Sequence, residues 1–351
     1  MTANTESAEF EIDLIPGVLN LRSNRQRIPN FPLACSRISE LPKIRVEGRE
    51  AGINLAYQVR TPQDNKLIPA GKLYRRDARN KISIEVPISR FAKIECSYTN
   101  QPGRATLEVN PTYHKLGRMT LGNMHSVGWL LRDLLNIQLL LKHFALLHAA
   151  AIQSDTACVV AVGLSNTGKS TTSFDLTLNG PCKLFGDDLV ATDGRNIYAC
   201  PYTATNVSPS ELSSLGSRGS QWLFRNIPFY GNFGPTKRIP ICSHVGEQKM
   251  AQPTQATHVV FLRRSPTCST RPIESDTAHS LLTASNRTEF TFMNSPLFCA
   301  FDYLHDTNQV RDAIDNERDT FSQLLDNTEC LLIEGDMPYF RKVVTSLVDT
   351  K

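Results

Sequence analysis

The 351-residue sequence has little charge imbalance, no long uninterrupted apolar run and no paired-cysteine pattern. Each absence removes a class of function. A formal net charge of +4, from 38 basic and 34 acidic residues, gives no electrostatic footprint for nucleic acid. The greasiest segment, Val127 to Leu147, is interrupted by Arg132, Asp133, Gln138, Lys142 and His143. It reads as a buried or amphipathic helix rather than a membrane span. The nine cysteines are odd in number, scattered and without a C-x-x-C. That excludes a disulfide framework or zinc knuckle and fits reduced, buried thiols in a cytoplasm. The N-terminus carries acids where a secretion signal needs bases, and it has no apolar core segment. No repeat, heptad or low-complexity tract is present.

What is present is concentrated between Cys158 and Ala191. An apolar, β-branched run (Val159, Val160, Ala161, Val162) reads as a buried strand. It leads into Gly163-Leu-Ser-Asn-Thr-Gly168-Lys169-Ser170, which fits G-x-x-x-x-G-K-[ST] at every fixed position. Thr171 to Leu178 has a helix-like pattern, and Asn179-Gly180-Pro181 stops it. Glycines at both ends of such a loop let backbone N–H groups ring a phosphate at a helix N-terminus. Gly163, Ser165, Asn166, Thr167, Gly168, Lys169, Ser170 and Thr171 are therefore the expected nucleotide-binding residues, with ATP as ligand. Lys169 would place its cation on the β- and γ-phosphates, and the Ser170 hydroxyl would face Mg²⁺.

Cys182 to Gly186 reads as the next strand, ending on the pair Asp187-Asp188. These acids follow the loop's helix after a single strand, so they are expected beside the phosphates. Two carboxylates there can hold Mg²⁺ and accept a proton from an attacking hydroxyl, which are the tasks of a kinase. Ser170, Asp187 and Asp188 are the candidate metal-binding residues, and Lys169, Asp187 and Asp188 the candidate catalytic ones. Which aspartate does which task is open at this point. The competing reading is a P-loop ATPase or nucleotide-dependent switch without a phosphoryl acceptor. It would require a distal acid on an apolar strand and a water-positioning residue. The strand-like runs at 258–262 and 330–333 do not end in such a pattern, and no Asn-Lys-x-Asp guanine reader is present.

A glycine-rich loop followed by a strand ending in a double Asp resembles the C-terminal domain of the HPr serine kinase/phosphorylase family, related in fold to phosphoenolpyruvate carboxykinase. Leu147-His148-Ala149-Ala150-Ala151-Ile152 is similar to that family's histidine-bearing strand before the loop. Within the family the chain is more similar to the kinase homologues found beside peptide-biosynthesis gene clusters. The resemblance implies an α/β fold: a carboxykinase/HPr kinase-like P-loop core with a mixed sheet, preceded by a β-rich N-terminal region. It implies His148 as a further catalytic residue, ATP and Mg²⁺ as cofactors, and a protein or peptide with an acceptor Ser or Thr as partner. It also makes a homo-oligomer an arrangement to expect, and allows the reverse phosphorolysis.

Along the chain, residues 1–8 are small and polar and read as a disordered tail. Residues 9–123 read as the β-rich region, with strands expected over Phe10 to Ile15, Lys43 to Glu47 and Lys81 to Ile88, and a hairpin turning at Asn100 to Gly103. Residues 124–351 read as the kinase-like domain. It would open with a core helix over 124–146 and carry a hairpin at Asp193-Gly194 and an irregular, substrate-facing loop over 203–236. Further expectations are a strand resuming at Lys237-Arg238, a strand from His258 ending in Arg263-Arg264, and helices over 277–284 and 295–325. A last strand from Thr328 and a closing helix over 338–348 complete the chain. Lys237, Arg238, Arg263 and Arg264 are extra cations whose role is open. Asn206-Val-Ser208 and Asn286-Arg-Thr288 fit the glycosylation triplet, which carries no meaning in a cytoplasmic protein.

Overall fold

A computed structural model of the chain describes residues 9–46, 48–60, 67–77, 80–90, 92–101, 104–116, 126–204 and 239–349. The N-terminal strands are β1 (Phe10–Ile15), β2 (Leu19–Ser23), β3 (Ile53–Val59), β4 (Ile68–Pro69), β5 (Tyr74–Arg76), β6 (Lys81–Pro87), β7 (Lys93–Gln101) and β8 (Arg104–Val109). They form one eight-stranded sheet in the order β1-β2-β3-β8-β7-β6-β5-β4, in which β3 runs parallel to both β2 and β8. The expected β-rich character and the β7–β8 hairpin are therefore present. The stretch from Lys43 is not a strand, although it alternates in sequence. Alternation without a neighbouring strand to pair with does not make a ladder.

Two helices follow, α1 (Pro111–Lys115) and α2 (Val127–Leu140). All residues of α2 except Trp129 and Gln138 are buried or nearly so, including Arg132, Asp133 and Asn136. The helix is a core element covered on all sides rather than a one-faced one. It is shorter than the expected 124–146: Ser126 before it is non-helical (φ -57°, ψ 152°) and the chain turns after Leu140. His143 takes a left-handed backbone (φ 58°), which an α-helix cannot continue through. The chain then enters β9 (Ala145–Leu147). Among the described residues no helix is long and apolar enough to cross a membrane.

The remaining elements are β10 (Ala149–Gln153), β11 (Cys158–Val162), α3 (Lys169–Leu178), β12 (Lys183–Gly186), β13 (Val190–Thr192), β14 (Asn196–Tyr198), α4 (Ile241–Val245), β15 (Thr254–Gln255), β16 (His258–Arg264) and β17 (Ser269–Pro272). After them come α5 (Ser275–Glu289), α6 (Pro296–His305), α7 (Gln309–Asp326), β18 (Glu329–Gly335) and α8 (Met337–Val348). A six-stranded mixed sheet has the order β12-β10-β11-β16-β18-β17. Strands β11, β16 and β18 are parallel, while β10 is antiparallel to both β11 and β12. All five residues of β11 are buried, as a strand covered on both faces requires. A four-stranded antiparallel sheet, β15-β14-β13-β9, contains the expected hairpin at Asp193-Gly194.

Two expectations are corrected here. Lys237 and Arg238 lie outside the described residues, and from Ile241 the chain is the short helix α4, not a strand. Its single pairing in that direction is an isolated bridge between Ala204 and Pro240, and a proline offers no N–H to extend it. The single helix expected over 295–325 is two helices. Asp306 adopts a left-handed conformation (φ 52°), and the Asp302 carboxylate accepts from the N–H groups of Gln309 and Val310 at the start of α7.

One apolar core runs from the N-terminal sheet through α2 to the mixed sheet. Tyr98 on β7 is fully buried, donating to Gln309 Oε1 at 3.0 Å and accepting from Gln138 Nε2 at 3.3 Å. Its ring meets Phe298 and Phe301 edge-on, at 5.2 and 4.8 Å between centroids. This joins β7 to α2, α6 and α7. Replacing Phe298 by Ala is expected to cost about 3–5 kcal/mol, the usual loss for a buried phenylalanine, measured as a shifted urea-unfolding midpoint.

Candidate active site

The site is built where β11 ends. Gly163 to Gly168 connect the C-terminal end of this buried strand to the first residue of α3. The turn depends on two left-handed residues, Asn166 (φ 64°) and Gly168 (φ 114°). At Gly168 a side chain would also close to 3.1 Å on Met337 of α8, so glycine answers both conformation and space. The Thr167 hydroxyl donates to Leu164 O at 2.8 Å and ties the loop across its base. Ser165, Asn166 and Thr171 are exposed, Ser170 is half-buried, and Lys169 is 4% exposed. The loop thus presents its rim to solvent and keeps its lysine inside.

Lys169 folds back on the loop: its Nζ donates to Gly163 O at 2.5 Å and to Leu164 O at 3.2 Å. Burial pulls its pKa down, opposed by the carboxylates of Asp188, Asp187 and Glu289. The aspartate pair thus acts on this ammonium in the sense that favours its charge. It arrives there on β12, which sits at the edge of the mixed sheet beside β10. The chain leaves β12 through a tight turn at Gly186, where a Cβ would come within 2.0 Å of Leu189 O. Only a glycine admits that approach. Asp187 is completely buried and Asp188 is half-buried.

His148 is the residue between β9 and β10, and is 4% exposed. Its backbone N–H donates to Asn286 Oδ1 at 2.9 Å, and Asn286 Nδ2 donates to Leu146 O at 2.7 Å. The ring nitrogen Nδ1 lies 3.4 Å from Ser285 O and 3.5 Å from Thr288 Oγ1. Burial lowers the imidazole pKa, the Lys169 charge lowers it further, and Glu289, the Ser285 carbonyl and Asp188 act in the opposite sense. His148, Lys169, Asp187 and Asp188 are accordingly one electrostatic group, drawn from three separate stretches of chain.

Sequence reasoning missed the contribution of α5. Glu289 acts on both Lys169 and His148, and Asn286 is a wholly buried clamp on the His148 backbone. The Asn286-Arg-Thr288 triplet carried a local signal, but only as a glycosylation pattern, and full burial of Asn286 rules that use out. Asn206 of the other triplet and residues 205–236 of the expected substrate-facing loop lie outside the described residues. The bases ending β16 are engaged elsewhere: Arg263 Nη1 is 3.4 Å from Glu334 Oε1, and Arg264 stands over the Phe340 ring at 5.7 Å. All nine cysteines are free thiols, seven of them buried.

The oxygen donors Ser170, Asp187 and Asp188 suit a hard divalent cation. Among the described residues no three of His, Cys, Asp and Glu gather into a cage of their own. That is compatible with Mg²⁺, which binds through one or two carboxylates and takes its other ligands from water and phosphate.

No family model matches the chain, and no curated protein matches it in sequence. Among solved structures it has a distant likeness to the Hpr(Ser) kinase/phosphatase from Coxiella burnetii. The identity is 13% and the TM-score 0.28, over 58% of this chain and 93% of that one.

Replacing Asn286 by Ala leaves the His148 N–H and the Leu146 carbonyl buried without their partner. The expected cost is about 2–6 kcal/mol, since each of the two stranded polar groups contributes roughly 1–3 kcal/mol, measured by urea unfolding.

Proposed function

We propose that this chain is an ATP- and Mg²⁺-dependent kinase that transfers the γ-phosphoryl group to a hydroxyl, a Ser or Thr of a protein or peptide. The observation that carries the reading is the grouping at the loop. A buried lysine at the first position of α3 lies against the loop carbonyls, with the carboxylate pair that follows β12 acting on its charge.

The loop's N–H groups and the start of α3 bind the phosphates, where aligned peptide dipoles favour an anion. Lys169 exchanges the carbonyls of Gly163 and Leu164 for β- and γ-phosphate oxygens. Its burial keeps that cation in a low-dielectric setting, where it acts strongly on developing charge. Ser170 and Asp187 would hold Mg²⁺, which would supply positive charge to neutralise the phosphate oxygens. Asp188, the more exposed of the pair, is the carboxylate an incoming hydroxyl can reach. It takes the hydroxyl proton as the acceptor oxygen bonds to the γ-phosphorus and the bond to the bridging oxygen breaks, ADP leaving with the electron pair.

The test is incubation with [γ-³²P]ATP and Mg²⁺ in the presence of Ser- and Thr-containing peptides. Label is expected on the acceptor hydroxyl, and its transfer is expected to fall roughly 10²-fold or more in Lys169→Met and in Asp188→Asn, the size of effect seen when one such electrostatic group is removed. Steady release of labelled phosphate with no labelled acceptor would replace this reading with an ATPase or nucleotide-dependent switch.

A further inference from the structure

Arg132 sits in the middle of α2 and is 1% exposed. Its guanidinium lies over the Trp129 ring at 4.4 Å and the Phe290 ring at 5.5 Å. A cation so far from water requires charged partners. One is Asp133, at 3.5 Å, whose own carboxyl is pushed up to about 6 by burial against the pull of Arg132. The other is Glu289, whose Oε1 accepts from Arg132 Nη1 at 2.9 Å. Glu289 is the last residue of α5, and its side chain is 35% exposed.

The same helix end is docked on His148. Asn286 holds its backbone, and Ser285 O and Thr288 Oγ1 both face its Nδ1. Glu289 follows directly and is brought to the site with them. The charged groups acting on His148 are then Lys169 from α3, Asp188 after β12 and Glu289 from α5. A carboxylate does not attract an anionic nucleotide, so nucleotide capture is not what a third acid adds here. What it does supply is a fixed negative charge at the helix end docked on His148.

We infer that Glu289, held in place by the buried guanidinium of Arg132, is a positioning residue of this site, a fixed negative charge set beside His148 by the docked end of α5. Its consequence for turnover rests on the kinase reading, whereas the effect of its charge on the His148 imidazole does not. Two readouts separate these.

The first is an NMR titration of the His148 imidazole, assigned by comparison with His148→Gln. Glu289 favours the protonated imidazole, so Glu289→Gln is expected to move that titration to lower pH. The second is steady-state kinetics of the same variant, which retains shape and an acceptor for Arg132. A drop of about tenfold in kcat with KM for ATP within about twofold is expected, the pattern of an interaction made in the transition state rather than in substrate binding. Arg132→Lys, which keeps the charge but not the planar fork, is expected to move both readouts in the same directions. An unmoved His148 titration in Glu289→Gln overturns the inference, as does a raised KM with kcat intact. If the wild-type chain transfers no phosphoryl group, the kinase reading fails while the imidazole titration still decides the role of Glu289.

Discussion

Taking an ammonium out of water costs several kcal/mol unless hydrogen bonds and opposite charge replace its hydration. The burial of Lys169 sets that condition, and much of the surrounding structure meets it. Two loop carbonyls accept from its Nζ, and three carboxylates from distant parts of the chain act on its charge. The strand order serves the same requirement. Placing β12 on the far side of β10 brings the end of that strand, and with it Asp187 and Asp188, to the neighbourhood of α3.

A second buried cation extends the arrangement. Arg132 couples α2, a helix buried along almost its whole length, to the end of α5, and α5 in turn clamps the junction between β9 and β10. The core helix and the site are therefore mechanically continuous. The N-terminal sheet belongs to the same packing through Tyr98, which touches α6 and is hydrogen-bonded to α2 and α7.

The loop and its aspartates were readable because they are written in consecutive residues. A buried strand, a turn with glycine where a left-handed residue must stand, and a helix with a stop after it are local constraints on φ, ψ and hydrophobic pattern. Element type was readable for the same reason in β11, β16, β18, α3 and α8. Boundaries were less so. The end of α2 turns on the left-handed His143, and the break between α6 and α7 on Asp306 and the capping carboxylate of Asp302, which no periodicity reports.

By itself, the sequence determined that this chain carries a G-x-x-x-x-G-K-[ST] loop between a buried strand and a helix, followed by two acids, in an α/β protein with a β-rich N-terminal part. Only the tertiary structure decided that Asn286 clamps the backbone at His148, that the buried Arg132 meets Glu289, and that Arg263 faces Glu334 while Arg264 stands over Phe340. The physical reason is range. Backbone conformation and hydrophobic period act over a few residues, whereas the pairing of a buried charge is settled by which distant segments the packed core brings beside it.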